Sequence, residues 1–351
     1  MRIGRLPTVI SGSFPRWLRG LSRCSVAALL LVAAMSNSAQ VLVVLSDESG
    51  SYQEVVEELR AGVTPVREGR ARINVVTAQQ LASSDASVLA GTELVVTVGL
   101  SAAQATIVRE AALPTPPLTL CLLIPRQSYE RLVPTRASGR ERRLSAVFID
   151  QPLSRQLDLI RIALPNRSRV GVILGPSSEL LKDELRDRAR ERGLVPKLAD
   201  VTEASGVYAA LQKVLPESDL LLALPDPVAV NASTAYGLLL TSYRAQVPVI
   251  GFSEGMAKAG ALLSLFSTAS QQGKQGAEIV NRILAGAAEV PAPQYAKYFT
   301  VRVNFSVARS LGLRIDEEAA LAAALAARAD SVVEPVPRRS ASDIRTLVRT
   351  P

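Results

Sequence analysis

A G-x-S-x-G pattern at residues 251–255 is the first candidate for chemistry in this 351-residue sequence. It follows the apolar run 247–250, which is the setting of the nucleophile elbow of serine hydrolases. A serine hydroxyl is a weak nucleophile until an adjacent base takes its proton. The sequence contains no histidine, and Lys258 is the nearest alternative base. We therefore interpret 251–255 as a turn between a strand and a helix and expect no enzymatic activity.

The sequence also lacks the usual residues for metal or nucleotide chemistry. The absence of histidine removes the commonest metal ligand, and two cysteines, Cys24 and Cys121, are too few for a thiolate zinc cluster. No phosphate-binding loop and no glycine-rich dinucleotide fingerprint follows a predicted strand. We expect no cofactor and no bound metal.

The positive charge of the chain is unevenly distributed. The formal net charge is +8, but residues 1–39 carry five arginines and no acidic residue, and the segment after residue 330 is also basic. The remainder is therefore close to neutral, and aromatic residues make up only 4% of the chain. Nucleic-acid binding needs a clustered basic face or aromatic stacking platforms, so we expect no nucleic-acid partner.

The first 39 residues are typical of an export signal. Arginines precede an apolar stretch at 25–34, and small residues follow it up to Ala39. Ten apolar residues are too few to cross a bilayer, which takes about 20. We predict a signal peptide over 1–39, cleavage near Ala39 and a periplasmic mature protein; an uncleaved membrane anchor is the alternative. Because Cys24 precedes the apolar stretch, we do not predict lipidation.

Short apolar runs rich in β-branched residues predict strands, and their continuous apolar character indicates burial on both faces, as in parallel sheets. These runs occupy residues 41–45, 94–98, 118–124, 170–174, 220–224 and 247–250. Outside these runs, apolar residues recur at helical spacing and form three stripes. The stripes are Leu153, Leu157, Ile160 and Leu164; Ala232, Tyr236, Leu239 and Tyr243; and Gly276, Val280 and Ile283. Ser51 and Glu54 have the spacing of a capping box for the first helix.

Repeated alternation of strands and helices predicts an α/β protein with two doubly wound parallel-sheet lobes joined by multiple crossovers. We assign residues 40–150 to lobe 1 and 151–266 to lobe 2. A helix near 271–285 and a strand near 300–304 are too small for a third domain, so we expect 267–315 to complete lobe 1. We expect a C-terminal helix at 316–330 and a disordered tail at 331–351.

Short stretches spread over most of the predicted mature chain resemble the periplasmic substrate-binding proteins of ABC transporters. The family includes the tryptophan- and tyrosine-binding type, with the type I periplasmic-binding-protein fold. The similar stretches are VVTVG at 95–99, LIRIALP at 159–165, VPVIGFS at 247–253, AGALL at 259–263, GKQGA at 273–277, ILAG at 283–286 and VNFSVARSLGL at 303–313.

The resemblance implies two lobes that close on a ligand and delivery of that ligand to a membrane permease. The chain departs from the family pattern in one region. The family often has an Asp-Pro-Val-like turn after the fourth strand and a Gly-Gly-Asn-rich turn before the first crossover. Here these places contain Ile124-Pro125-Arg126 and the arginine-rich segment 138–143. The family's usual ligand is therefore not implied.

Ligands of open α/β sheets bind outside the carboxyl ends of the strands, and this rule selects the candidate ligand-binding residues. Ser49, Ser101 and Ser253 are predicted to offer hydroxyl groups near helix N-termini, which suits a carboxylate or phosphate. Asp226 or Glu48 would meet a ligand ammonium. The remaining candidates are Ser46, Tyr52, Asp150, Asn231, Phe252 and Phe266. Together they suggest an amino-acid-like ligand, although each residue is equally compatible with an ordinary cap or turn.

Two functions remain open from the sequence. The first is a monomeric solute receptor feeding an inner-membrane ABC permease. The second uses the same fold as a periplasmic sensor or accessory module for a membrane sensor protein. The altered region around Arg126 motivates this alternative.

Overall fold

The computed structural model of the chain describes residues 40–64, 72–133, 143–287 and 289–329. The predicted signal peptide, the predicted tail and most of the arginine-rich segment 138–143 lie outside the described residues. Within the described residues, no helix is both long enough and apolar enough to cross a membrane.

The described residues form two six-stranded sheets. The strands are β1 Gln40–Leu45, β2 Arg72–Thr77, β3 Leu94–Val98, β4 Leu118–Ile124, β5 Leu144–Phe148, β6 Arg169–Leu174, β7 Val195–Asp200, β8 Leu220–Leu222, β9 Val249–Gly251, β10 Leu263–Phe266, β11 Gln294–Tyr295 and β12 Thr300–Val303. The helices are α1 Gly50–Gly62, α2 Ala78–Ser83, α3 Leu100–Glu110, α4 Arg126–Leu132, α5 Leu153–Ala163, α6 Lys182–Glu191, α7 Val207–Val214, α8 Ala235–Arg244, α9 Glu254–Ala259, α10 Ala269–Leu284, α11 Phe305–Ser310 and α12 Glu318–Ala329.

The sheet of lobe 1 has the order β11-β5-β4-β3-β1-β2, and all its pairs are parallel. Alternate residues of β1 enter different cores: Val43 packs with α1 and α10, whereas Val44 packs with α2 and α3. Both faces of the sheet are therefore covered by helices, which explains why the strands are apolar without alternation.

The sheet of lobe 2 has the order β12-β10-β9-β8-β6-β7. Five of its strands are parallel, and β12 pairs antiparallel with β10. Helices again cover both faces, with α5, α6 and α12 on one side and α7, α8 and α9 on the other. The fold is thus α/β with two doubly wound, mostly parallel-sheet lobes.

Three crossovers connect the lobes. The chain passes from β5 to α5, returns from β10 to α10, and passes a third time from β11 to β12. The expectation that the strand near 300–304 completes lobe 1 is wrong, because β12 hydrogen-bonds to β10 in lobe 2. The C-terminal helix α12 also packs on lobe 2, where Leu321 and Leu325 join the core beside α5.

Two local predictions also need correction. Tyr236 and Tyr243 were expected on the buried stripe of α8, but they are 71% and 42% exposed; Leu239 of that stripe is buried as expected, together with Leu238. The first helix begins at Gly50 with Ser49 at its N-cap, so Ser51 lies inside the helix and cannot form the predicted capping box. Capping boxes occur instead at α2 and at α10, where Thr268 pairs with Gln271.

The contact between α1 and α10 depends on small residues. A Cβ atom placed on Gly273 would lie 2.7 Å from the Glu58 Cβ and 3.0 Å from the Val55 carbonyl oxygen. One turn further along α10, a Cβ on Gly276 would lie 2.6 Å from Leu122 of β4. The two glycines therefore allow α10, which arrives from lobe 2, to pack closely on lobe 1.

Substitution of Gly273 by alanine should destabilise the protein, even though alanine is the better helix former. We expect a loss of about 1–3 kcal/mol, the usual cost of forcing extra volume into a packed interior. Gly237 of α8 is the matched control, because nothing lies within 4 Å of its Cβ position. Gly237→Ala should therefore stabilise by about 0.5–1 kcal/mol. Urea unfolding of both variants checks the prediction. A change in the free energy of unfolding that has the same sign in both variants would contradict it.

Candidate ligand-binding cleft

The carboxyl ends of the parallel strands in the two lobes face each other. The evidence is a direct contact between α4, which follows β4 in lobe 1, and the loop that follows β6 in lobe 2. In this contact the Gln127 side-chain amide donates to the carbonyl of Ser177. The space between the lobes therefore lies at the position where open α/β sheets bind ligands.

In lobe 1, the turns after β1 and β3 form one structure, which we call the β1–β3 corner: Ser46, Tyr52, Gly99 and Ser101. The Ser46 hydroxyl donates to the Val98 carbonyl and accepts the Ala102 N–H, both at 3.0 Å. Gly99 has a φ of +88°, and a Cβ there would lie 2.5 Å from the Ser46 hydroxyl oxygen and 2.8 Å from that of Tyr52. Ser46 thus holds the corner in shape.

The exposed residues of this region are the ones available to a ligand. Glu48, Ser49 and Ser101 are exposed, and the side chain of Ser49 makes no capping hydrogen bond to α1. Ser101 lies in the first turn of α3, whose N-cap Gly99 has no side chain to cap it, although Ser46 accepts the Ala102 N–H of this turn. Unpaired N–H groups of a first helical turn favour an anion. Ligand contact by these residues stays a prediction.

Asp150 lies at the first crossover, where its carboxylate accepts the Arg126 N–H at 2.6 Å. Burial raises the pKa of Asp150, and the hydrogen bond from the Arg126 backbone only partly opposes this. Arg126 is 4% exposed, and its guanidinium donates to Glu130 and to the Tyr295 hydroxyl, both at 2.7 Å. Burial raises the pKa of Tyr295 to about 12 although Arg126 lowers it, so Tyr295 stays protonated.

In lobe 2, Asp226 organises the loop after β8. One carboxylate oxygen accepts the N–H groups of Ser177 and Ser178 and the Ser178 hydroxyl, and the other accepts the N–H groups of Val228 and Ala229. Burial alone would raise the pKa of Asp226, but these hydrogen bonds lower it overall. A carboxylate offers about four acceptor sites, and all are used. The Asp226 carboxylate therefore shapes the loop, and the expected contact with a ligand ammonium stays a prediction.

Asn231 has a similar internal role. Its amide nitrogen donates to the Pro227 carbonyl, and its amide oxygen accepts from Ser233 and from the Thr234 N–H. These bonds form the turn that leads into α8. The Asn231 side chain is therefore used within the lobe, and ligand contact by it stays a prediction.

The remaining three candidates differ in their exposure. Phe252 is partly buried and packs against the same core cluster as Val228. Phe266 is only 8% exposed and lies at the end of β10, where the second crossover begins. Ser253 is the N-cap of α9 and accepts the Met256 N–H at 3.2 Å. Its φ of −148° is ordinary extended backbone, unlike the strained serine of a nucleophile elbow.

Arg126, Gln127 and Ser177 are not among the site residues predicted individually from the sequence. The available signal was the replacement of the family's turn by Ile124-Pro125-Arg126. The burial of Arg126 and its contact with Tyr295 cannot be predicted without knowledge of the fold, because Tyr295 lies 169 residues further along the chain. Among the described residues, no cluster of histidine, cysteine and acidic side chains has the composition to hold a metal ion.

Comparisons with known proteins agree with this geometry. A profile of the family described as ABC transporter substrate binding protein matches residues 78–327. None of the curated proteins matches the chain in a sequence search. In a structure search, an ABC domain in complex with L-Trp from Streptococcus pneumonia is 18% identical, with a TM-score of 0.54 and coverage of 80% of this chain and 96% of that one.

Two further solved structures show the same fold. A conserved domain protein from Vibrio cholerae is 24% identical, with a TM-score of 0.54 and coverage of 82% of this chain and 98% of that one. The ligand-free, open structure of a substrate-binding protein with adhesive properties from Clostridium difficile is 17% identical. Its TM-score is 0.64, with coverage of 80% of this chain and 96% of that one. The chain belongs to the ABC transporter substrate-binding protein family and has a two-lobed, type I periplasmic-binding-protein fold.

Replacement of Asp226 by asparagine should destabilise lobe 2 by about 1–3 kcal/mol at neutral pH, because backbone donors lose their acceptor. A lowered pKa means that the folded protein binds the proton less readily than the unfolded chain. The stabilisation is therefore complete above the unfolded pKa of about 3.9 and is lost as the pH falls through the lower folded value. Urea unfolding of both proteins should show a difference that narrows below about pH 4. Asp183→Asn, at a side chain that is 94% exposed, is the control and should show no such trend.

Substitution of Ser253 by alanine should remove a helix cap without removing a nucleophile. We expect a stability loss of about 1 kcal/mol, and Ser253→Asp should retain stability because its carboxylate also caps a helix. A fluorophosphonate probe should leave Ser253 unlabelled in the wild-type protein. Stoichiometric labelling of Ser253 would show that the turn is a hydrolase elbow after all.

Proposed function

We propose that this chain is an exported solute receptor that captures a small molecule between its two lobes and delivers it to an inner-membrane ABC importer. The observation that carries the proposal is the placement of two facing carboxyl-end edges on lobes joined by three crossovers. A ligand that touches both edges binds the closed arrangement better than the open one, and this difference drives closure. Membership of the substrate-binding family supports the same function.

An amino-acid-like ligand fits the groups that remain available. Ser49 at the N-cap of α1 and Ser101 in the first turn of α3 offer hydroxyl groups at helix N-termini, which suits a ligand carboxylate. Glu48 is exposed nearby and offers a negative charge to an ammonium group. Across the cleft, the partly buried Phe252 offers an apolar surface. Since the similar Streptococcus pneumonia structure is a complex with L-Trp, L-tryptophan is the first probe.

The crossovers provide the hinge of the proposed movement. Each crossover is short, and each leads directly into a strand or helix of the other lobe. Residues near Asp150 and Phe266 would absorb the change in backbone angles while the two sheets move as rigid bodies. Ser253 accepts the Met256 N–H as a helix cap, and the nearby Lys258 is ion-paired with Glu254, so the proposal is for binding without catalysis.

A sensor or accessory role for a membrane sensor protein is the alternative. It is motivated by the region around Arg126, which stands where the family often has an Asp-Pro-Val-like turn after the fourth strand. A permease encoded beside the gene would support import, whereas a neighbouring membrane kinase would support sensing. Both roles share ligand capture, and capture is therefore the step to test first.

Native mass spectrometry of the purified protein should reveal a retained small molecule, and thermal unfolding should show its effect. At a free ligand concentration of about 100 times Kd, stabilisation should be about 2.7 kcal/mol if the unfolded chain does not bind. L-Tryptophan and the retained molecule are titrated separately. Absence of a retained molecule, together with no stabilisation by a panel of amino acids, would contradict capture of an amino-acid-like ligand.

Two variants of α3 test where the ligand binds in the same titration. Ser101→Asp places a negative charge at the helix N-terminus, so it should preserve stability while weakening binding of an anionic group by about tenfold or more. Gln104→Glu adds the same charge on an exposed position of the same helix, away from its first turn. It should leave affinity unchanged. Equal effects of the two variants would place the ligand elsewhere.

A further inference from the structure

The two lobes contact each other directly through α4. Besides the bond from Gln127 to the Ser177 carbonyl, Arg131 donates to the Ser177 hydroxyl at 3.3 Å. The guanidinium of Arg126 lies 3.7 Å from the carboxylate of Glu184 on α6. Among the described residues, one short helix of lobe 1 therefore contacts lobe 2 through these hydrogen bonds and this ion pair.

The lobe 1 side of this contact is held in place by an unusual piece of backbone. The register between β4 and β5 shifts between Cys121 and Ile124, and Leu123 has a φ of +50°, which is uncommon for a leucine. Such bulges often redirect the chain next to functional sites. Here the bulge is followed at once by Pro125 and by Arg126, whose backbone N–H is bonded to Asp150.

The guanidinium of Arg126 is also fixed within lobe 1. It is bonded to Glu130 on its own helix and to the Tyr295 hydroxyl of β11, directly before the third crossover. Its side chain is 5% exposed, whereas that of Glu184 is 25% exposed. The arginine is therefore placed before the lobes meet, and little conformational entropy is lost when Glu184 approaches it.

The lobe 2 side is equally ordered. Asp226 holds the N–H groups of Ser177 and Ser178 at 3.0 Å and 2.8 Å, which fixes the direction of the Ser177 carbonyl. Two preformed surfaces thus meet at one point of the cleft, and their charges are complementary at Arg126 and Glu184.

We propose that Arg126, Gln127 and Arg131 of α4, with Ser177 and Glu184 of lobe 2, form an interlobe latch that restricts opening of the cleft in the absence of ligand. This proposal rests on the proposed function of ligand capture. By favouring arrangements in which the lobes are close, it raises the fraction of molecules competent to bind and so raises the apparent affinity. Arg126, at the start of α4, stands in the stretch where the chain departs from the turn that the family often has after the fourth strand.

Small-angle X-ray scattering of the ligand-free mature protein tests the latch. Glu184→Arg places a second cation beside Arg126, so the radius of gyration and the maximum dimension should both increase. Gln127→Ala should shift both values in the same direction by less. Glu179→Arg is the matched control: it makes the same charge change at an exposed residue just before α6, and its scattering should equal that of the wild type. Circular dichroism melting confirms that each variant is folded.

Scattering of Glu184→Arg and Gln127→Ala that matches the wild type, in folded proteins, would overturn the latch. An increase in Glu179→Arg equal to that in Glu184→Arg would also overturn it, because general repulsion would then explain both. Neither result affects ligand capture, which the mass-spectrometric and thermal experiments decide separately.

Discussion

The relative position of the two lobes depends on a chain of hydrogen bonds that links all three crossovers. Gln151 of the first crossover donates to the Ser267 hydroxyl of the second at 2.8 Å, and Ser267 donates to the Tyr298 carbonyl of the third at 2.6 Å. Gln151 and Ser267 are 7% and 6% exposed, so these polar groups would carry a desolvation cost if they were unpaired. The three connections consequently behave as one unit, and a change at one crossover must be accommodated by the others.

This arrangement separates rigid from adaptable parts of the molecule. Within each lobe, the loops at the cleft are fixed by internal acceptors: Ser46 in lobe 1 and Asp226 and Asn231 in lobe 2. The candidate ligand contacts, such as Ser49 and Ser101, project from these fixed loops and have few internal partners. Preorganised loops reduce the entropy lost on binding, so affinity can be adjusted by a few exposed side chains and by contacts between the lobes.

The sequence predicts the lobes well because their strands are continuous apolar runs, and the runs at 94–98 and 118–124 coincide with β3 and β4. It does not reveal that β12 pairs with β10, since a four-residue strand has no feature that selects one sheet over another. The predicted burial of Tyr236 and Tyr243 is wrong because tyrosine is compatible with both burial and exposure. Candidate site residues were chosen by their position after strands, and this rule cannot separate a side chain that faces the ligand from one that shapes the loop. Asp226 illustrates this limit, because its acceptor role becomes visible only when five donors are brought around it.

The central claim is that two rigid lobes close on a shared ligand around the linked crossovers. Small-angle X-ray scattering of the wild-type protein, recorded without and with a saturating concentration of the molecule retained in native mass spectrometry, tests it most directly. The account predicts a smaller radius of gyration in the presence of the ligand, with the change saturating at one equivalent. Tight binding of that molecule with unchanged scattering would contradict the claim, because the ligand would then be held by one lobe or by a cleft that does not move.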